Sequence, residues 1–468
     1  MPQREIPMPI ADYLNPQHAP ADLPPLAEMN VQTRGLHQKI DAAMQTSGLP
    51  YLHPDGGPTV QLDLLGSQRM ADWQEGKVAF LFEGEGCWSD LPQVYARYGT
   101  EPTRNLLQKV KELETAECAI LTDCGAQAAA LLMDAVLQPG KHVVVSRQIY
   151  NKTRKYAEWT QARIGGTLTV VNQAEAAELD AAIRPETVLV LVETYSNPLM
   201  RALDPDALSD LMVRRRKSDA PGVKLAIDAT IVSPWGVKKP LLSRPGIDFV
   251  FASGTKSLGG QDRDLWGYLA SNRSELMNQM MDLQANRGGI LDWRRAQAVL
   301  DGLDHAREAF VLRCENATKI AHFLAKHPHV EQVFHPSQPD HPDRQAIENA
   351  YALPGSLLSF RVRGLNEGQT RHFCDVLAMT VAVRYALSFD GPTTKVNHHQ
   401  SVSEYFTPLA ELQRQGIDRL VRFALGEEHA DDICACLNWA LWHHQNVTAE
   451  TVKTWQLERA QHLGIFGQ

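Results

Sequence analysis

The chain has 468 residues, 44% of them hydrophobic and 22% charged, and a net charge of −9. That is a globular composition with apolar residues for two or three structural units, so a lone small module is excluded, and the acidic balance offers no footprint for a nucleic-acid partner. No apolar run approaches the ~18 residues of a membrane span, and the first residues lack the apolar core of a signal peptide, so the expectation is no membrane partner and a cytoplasmic location. Seven scattered cysteines, an odd number, fit free thiols. Cys434 and Cys436 read as helix positions, and no metal is expected.

Residues 1–70, rich in Pro, Gln and Gly, read as an N-terminal extension wrapping a neighbouring subunit, with one helical stretch at Val31–Thr46. From about Thr103 strands and helices alternate, the pattern of an α/β domain with a mostly parallel sheet. Seven apolar runs read as buried strands: 118–122, 142–146, 168–171, 188–194, 224–228, 248–253 and 265–271. Helical stretches such as 126–137 and 206–217 flank them, and the basic cluster 214–217 reads as a solvated helix end. A long helical region, Arg273–Leu324, leads to shorter strands such as 357–364 among helices. The division is therefore a large α/β domain at 71–310 with a seven-stranded sheet, and a smaller C-terminal α+β domain at 311–468.

The chemistry starts at the turn Ser253-Gly254-Thr255-Lys256. A lysine among small residues at a strand's C-terminal end can reach a ligand at the sheet edge, and lysine is the side chain that forms imines with carbonyl cofactors. Taken alone, the turn reads more readily as a glycine-rich surface loop with a solvated lysine. Asp228 ends the preceding strand, where a carboxylate can protonate and hold a pyridine nitrogen or simply cap the strand. Gly125 and Ala126 open an alanine-rich helix after a strand, so their N–H groups can face a phosphate, with the Ser253 and Thr255 hydroxyls as further donors. Tyr150 offers a ring for stacking, Asn197 a donor, and Tyr95 with Arg97 a phenol and a guanidinium two residues apart.

Together these segments are recognisable. Y-A-R-Y-G-T-E-P-T (95–103), D-C-G-A-Q-A (123–128), Tyr150, E-T-Y-S-N-P (193–198), D-A-T (228–230) and S-G-T-K (253–256) resemble the Cys/Met-metabolism family of fold-type-I pyridoxal-phosphate (PLP) enzymes. That family includes cystathionine γ-synthase, cystathionine lyases, methionine γ-lyase and O-acylhomoserine sulfhydrylases. The resemblance implies that Lys256 carries the cofactor and shuttles protons, that Asp228 pairs with the ring nitrogen, and that Gly125, Ala126, Ser253 and Thr255 hold the phosphate. It also implies that Tyr95 and Arg97 reach the phosphate from a neighbouring subunit, that Tyr150 stacks on the ring and assists proton transfer, and that Asn197 bonds the cofactor's phenolic oxygen. Arg422 matches the arginine for the substrate α-carboxylate and Ser388 a serine facing the substrate. Shared sites imply a homodimer at least, and a tetramer of two dimers.

The sequence departs from the family around the substrate. The segment after Tyr-x-Arg is one residue longer, a glycine pair after the tyrosine is Asn151-Lys152, one glycine of the Ser388–Gly391 loop is gone, and the histidine-proline segment reads P-T-T-K-V-N-H-H-Q (392–400). His398 and His399 read as surface residues, and Lys152 as a solvent-exposed one. Leu387 is apolar where cystathionine-cleaving members are acidic. The expected activity is γ-elimination or γ-replacement on an L-amino acid with a Cγ heteroatom leaving group, methionine-like or O-substituted homoserine-like. The alternatives are a β-lyase of cystathionine or cysteine conjugates, and a non-catalytic binding subunit, which would have lost Lys256 or Asp228.

Overall fold

The computed structural model describes residues 26–47, 66–83, 86–90, 95–147, 149–259, 262–380 and 382–465. The chain divides into two compact units, 1–66 and 67–468. The first shows the helix Val31–Ser47, with Val31 and Leu36 exposed. Most of the expected extension, and its contact with a neighbouring subunit, lies outside the described residues.

The second unit is built on seven strands: β1 (Cys118–Thr122), β2 (His142–Ser146), β3 (Thr167–Val171), β4 (Thr187–Glu193), β5 (Lys224–Asp228), β6 (Phe249–Ala252) and β7 (Gly267–Ser271). Their order is β1-β7-β6-β5-β4-β2-β3. Only β7 runs against its neighbours β1 and β6; the remaining pairs are parallel. Both faces are covered, which is why the strands read as continuous apolar runs instead of alternating ones. Along β4, Val190 and Val192 enter one core while Leu189 and Leu191 enter the other. Each such side chain contributes about 1.5–3 kcal/mol by leaving water. The edge strand β3 departs from the expectation of burial: Thr167 is exposed and only Val171 is buried.

The helical region after β7 is two helices, Ser274–Arg287 and Trp293–Lys326. Gly288 and Gly289 break it, both at positive φ (87° and 78°), a region side-chain-bearing residues rarely enter. Asp292 then caps the second helix by accepting from the N–H groups of Arg294 and Arg295. This helix runs on through residue 310: Val299 belongs to the core of the large sheet, Ala317 to that of a second sheet. The second sheet comprises β8 (Val330–Phe334), β9 (Leu357–Val362), β10 (Val383–Tyr385), β11 (Thr394–His398) and β12 (Val421–Ala424), ordered β10-β11-β12-β9-β8. The basic cluster is less solvated than expected, because Arg216 is ion-paired with the fully buried carboxylate of Asp248. No helix among the described residues is long and apolar enough to cross a membrane.

Candidate active site

The C-terminal ends of the parallel strands converge on a cavity of about 460 Å³, within the range of small-molecule sites. Strand geometry sets its floor. Asp228 is the last residue of β5, Glu193 the last of β4, and the two are register partners on neighbouring strands. Lys256 lies in the connection from β6 to β7, and Gly125 begins the helix that follows β1.

Gly125 has no substitute. A Cβ there would lie 2.6 Å from Cα and Cβ of Ser253, so only glycine lets the helix start approach the lysine turn. The first N–H groups of a helix have no intrahelical acceptor, and those of Gly125 and Ala126 stand at the cavity edge. Ser253 and Thr255 line the same end. The Thr255 hydroxyl donates to the Trp266 carbonyl at 3.1 Å and accepts from the Trp266 N–H at 3.0 Å, so its one proton is already engaged. Ser253 is positioned through its N–H, which donates to Thr230 Oγ1 at 3.0 Å.

Asp228 is buried and accepts from the Thr230 N–H at 2.9 Å and the Thr230 hydroxyl at 2.5 Å. Burial raises its pKa to about 6, with the Thr230 bonds opposing the rise. Glu193 is also buried; desolvation, then the nearby Asp228 charge, lift its pKa well above the carboxylate range. The floor thus holds two neighbouring buried carboxyl groups, both raised by desolvation.

Lys256 reaches into the cavity, where its ammonium donates to Ser388 Oγ and lies 5.0 Å from the Phe389 ring. Burial lowers its pKa; Asp390 and Asp262 oppose this while Arg422 and Lys395 add to it. The Ser388 loop is held from behind. Asp390 sits at φ 67° in the left-handed region, buried, 2.8 Å from Arg313 Nε, and Arg313 also pairs with Glu427 at 2.9 Å. Arg422, on β12, is buried with Nη2 donating to the Leu387 carbonyl at 2.7 Å. Burial lowers its pKa to about 10, so it stays cationic at neutral pH.

Tyr150, half exposed, and Asn197, whose Oδ1 is buried without a partner, complete the lining. Tyr95 and Arg97 do not line this cavity in their own chain; the Arg97 guanidinium stacks 4.8 Å over the Tyr95 ring elsewhere. One expectation is corrected. His398 and His399 are buried, with 0% and 2% exposure: His398 ends β11 opposite Val421 of β12, and His399, the first residue of the helix His399–Ser403, is tied by its N–H to the Leu420 carbonyl. Lys152 is exposed, as expected, at the cavity mouth beside Asn151.

Glu193, Asn151 and His399 line the cavity yet went unselected as site residues in the sequence. Glu193 had a readable signal, since it ends its strand as Asp228 ends the next. His399 had none, because nothing local distinguishes a buried histidine from a surface one.

The residues suit PLP: one buried amine for its aldehyde, one buried carboxyl for its ring nitrogen, and a helix start that a side chain at Gly125 would block. Comparison with known proteins agrees. A profile described as Cys/Met metabolism PLP-dependent enzyme matches residues 83–442. The chain is 29% identical over 425 residues to cystathionine gamma-synthase 1, chloroplastic, of Arabidopsis thaliana, covering 88% of this chain and 73% of that one. It is 30% identical over 352 residues to L-methionine gamma-lyase of Fusobacterium nucleatum subsp. nucleatum, covering 74% and 86%. The crystal structure of metB from Corynebacterium glutamicum matches with a TM-score of 0.69 at 28% identity, covering 75% of this chain and 87% of that one. Sequence and geometry therefore agree that the chain belongs to the Cys/Met metabolism family and is a PLP-dependent enzyme.

Proposed function

We propose that the protein carries out γ-elimination or γ-replacement on an L-amino acid bearing a heteroatom leaving group on Cγ, methionine-like or O-substituted homoserine-like. The observation that carries this reading is the placement of Lys256 in one cavity with Asp228, Asn197, Ser388 and Arg422. PLP, when bound, withdraws electrons from the substrate's α-carbon. Lys256 binds it and moves protons at Cα and then Cβ, a task suited to an amine whose pKa burial has lowered. Asp228 holds the ring nitrogen's proton. Gly125, Ala126, Ser253 and Thr255 hold the phosphate, Thr255 by turning its hydroxyl away from Trp266. Asn197 bonds the phenolic oxygen, and Tyr150 covers the ring and assists proton transfer. Arg422 grips the α-carboxylate, which fixes the bond that is broken at Cα, and Ser388 steadies Lys256.

Tyr95 and Arg97 serve the neighbouring subunit's phosphate, which makes the active form a homodimer, paired into a tetramer. Their absence from their own chain's cavity supports this. The domain division 71–310 and 311–468 and a cytoplasmic location belong to the same reading; the change of core between Val299 and Ala317 supports the former, and seven free cysteines the latter. Product analysis tests the chemistry. Holoenzyme given O-acetyl-L-homoserine or L-methionine should release 2-oxobutanoate, or join the four-carbon unit to an added thiol. Pyruvate from cystathionine with neither γ-product would replace this reading with a β-lyase.

A further inference from the structure

Among the cavity residues that the chemistry above leaves unused, His399 stands out. His399 lines the cavity, is 2% exposed, and has no hydrogen-bond partner on either ring nitrogen among the described residues. A neutral imidazole has one donor and one acceptor, and burying both unmet is costly unless a ligand meets them.

The backbone sets where the ring stands. The His399 N–H donates to the Leu420 carbonyl at 3.1 Å, continuing a register in which Asn397 faces Arg422 and His398 faces Val421. His399 opens the helix His399–Ser403 one residue past β11, two positions on from the residue that faces Arg422, and both side chains line the same cavity. Burial first, and the Arg422 charge second, hold the imidazole well below its ordinary pKa. It therefore offers an uncharged N–H beside the guanidinium. Arg422 spends Nη2 on Leu387, its one side-chain hydrogen bond among the described residues, so a carboxylate there gains from a second donor. Residues 392–400 are also where this chain departs from the family's histidine-proline pattern.

We propose that His399 is a substrate-binding residue whose neutral N–H donates to one oxygen of the α-carboxylate held by Arg422. The inference rests on Arg422 taking that carboxylate.

The test is binding to the holoenzyme, followed by the absorbance change of bound PLP, of L-alanine and of ethylamine. L-alanine has no γ-leaving group, and ethylamine is the same molecule without its carboxylate. His399→Phe and His399→Met should each weaken L-alanine at least about tenfold, the value of one hydrogen bond to a charged group, and leave ethylamine within about twofold. His399→Gln keeps a neutral donor and should bind both within about threefold of the parent. In turnover the loss should fall on KM. Unchanged L-alanine binding in the Phe and Met variants, or equal weakening of both ligands, overturns the proposal. If Arg422→Lys also leaves L-alanine unaffected, the carboxylate reading of Arg422 falls with it; if Arg422→Lys weakens L-alanine while the His399 variants do not, the His399 proposal falls alone.

Discussion

The two walls of the Lys256 cavity are built differently. The cofactor-facing wall consists of strand ends: Gly125 after β1, Glu193 on β4, Asp228 on β5 and Ser253–Lys256 after β6, each fixed by sheet register and packed on two apolar cores. The substrate-facing wall consists of loop and helix-start residues, Asn151, Lys152, Leu387–Phe389 and His399, held by polar contacts. Asn151 Nδ2, for instance, donates to the Ser403 carbonyl. A wall made by register tolerates few residue types, whereas one made by side-chain contacts can be rewritten one position at a time. The departures read in the sequence at 151–152 and 388–400 fall on this second wall.

Substitutions on each wall sharpen this contrast. The largest effect is expected at Lys256. Lys256→Ala should abolish turnover, by at least about 10⁴-fold, and remove the chromophore of lysine-bound PLP while the protein stays folded. An active, coloured Lys256→Ala protein would break the assignment of the cofactor wall. On the other wall, Arg313→Met leaves the buried carboxylate of Asp390 without its 2.8 Å partner. Chemical denaturation should show a loss of about 3–5 kcal/mol, and activity should fall with it as the Ser388 loop loosens. A loss below about 1 kcal/mol would mean that the loop does not depend on the pair.

Asp228→Asn should act in the opposite sense on the apoprotein. Its folded pKa, about 6, lies above the ordinary aspartate value of 3.8. The folded state therefore holds a proton the unfolded state has lost, and this group's contribution to stability falls as pH rises from 3.8 to about 6. The neutral amide escapes that penalty. The apo variant should match the parent near pH 4 and gain up to about 3 kcal/mol by pH 7, while losing activity once PLP is supplied. Equal stabilities across that range would show that the buried carboxyl is not strained in the apo state.

The same contrast explains what the sequence made legible. The strands of the large sheet other than β3 were readable because burial on both faces leaves unbroken apolar runs, and Asp228 and Lys256 were readable because one ends a strand and the other lies in the turn just after one. The edge position of β3 was not, since strand order is decided by long-range pairing. His398 and His399 were misread because the segment they pair with, Leu420–Val421, lies some twenty positions further along the chain. Asp390 looked like a lost glycine; its compensation, Arg313, lies 77 positions away on the helix Trp293–Lys326.

The helix Trp293–Lys326, at 34 residues, is a rod about 50 Å long. It contains no proline, the usual cause of a sharp kink. A hinge needs a joint, and the chain supplies none where it passes from one core to the other along this rod. Large rotation of the two sheets would have to bend a continuous ladder of hydrogen bonds. The cavity rim, at Asn151–Arg154 and Leu387–Phe389, is then where local movement has room, over a frame that the rod ties together.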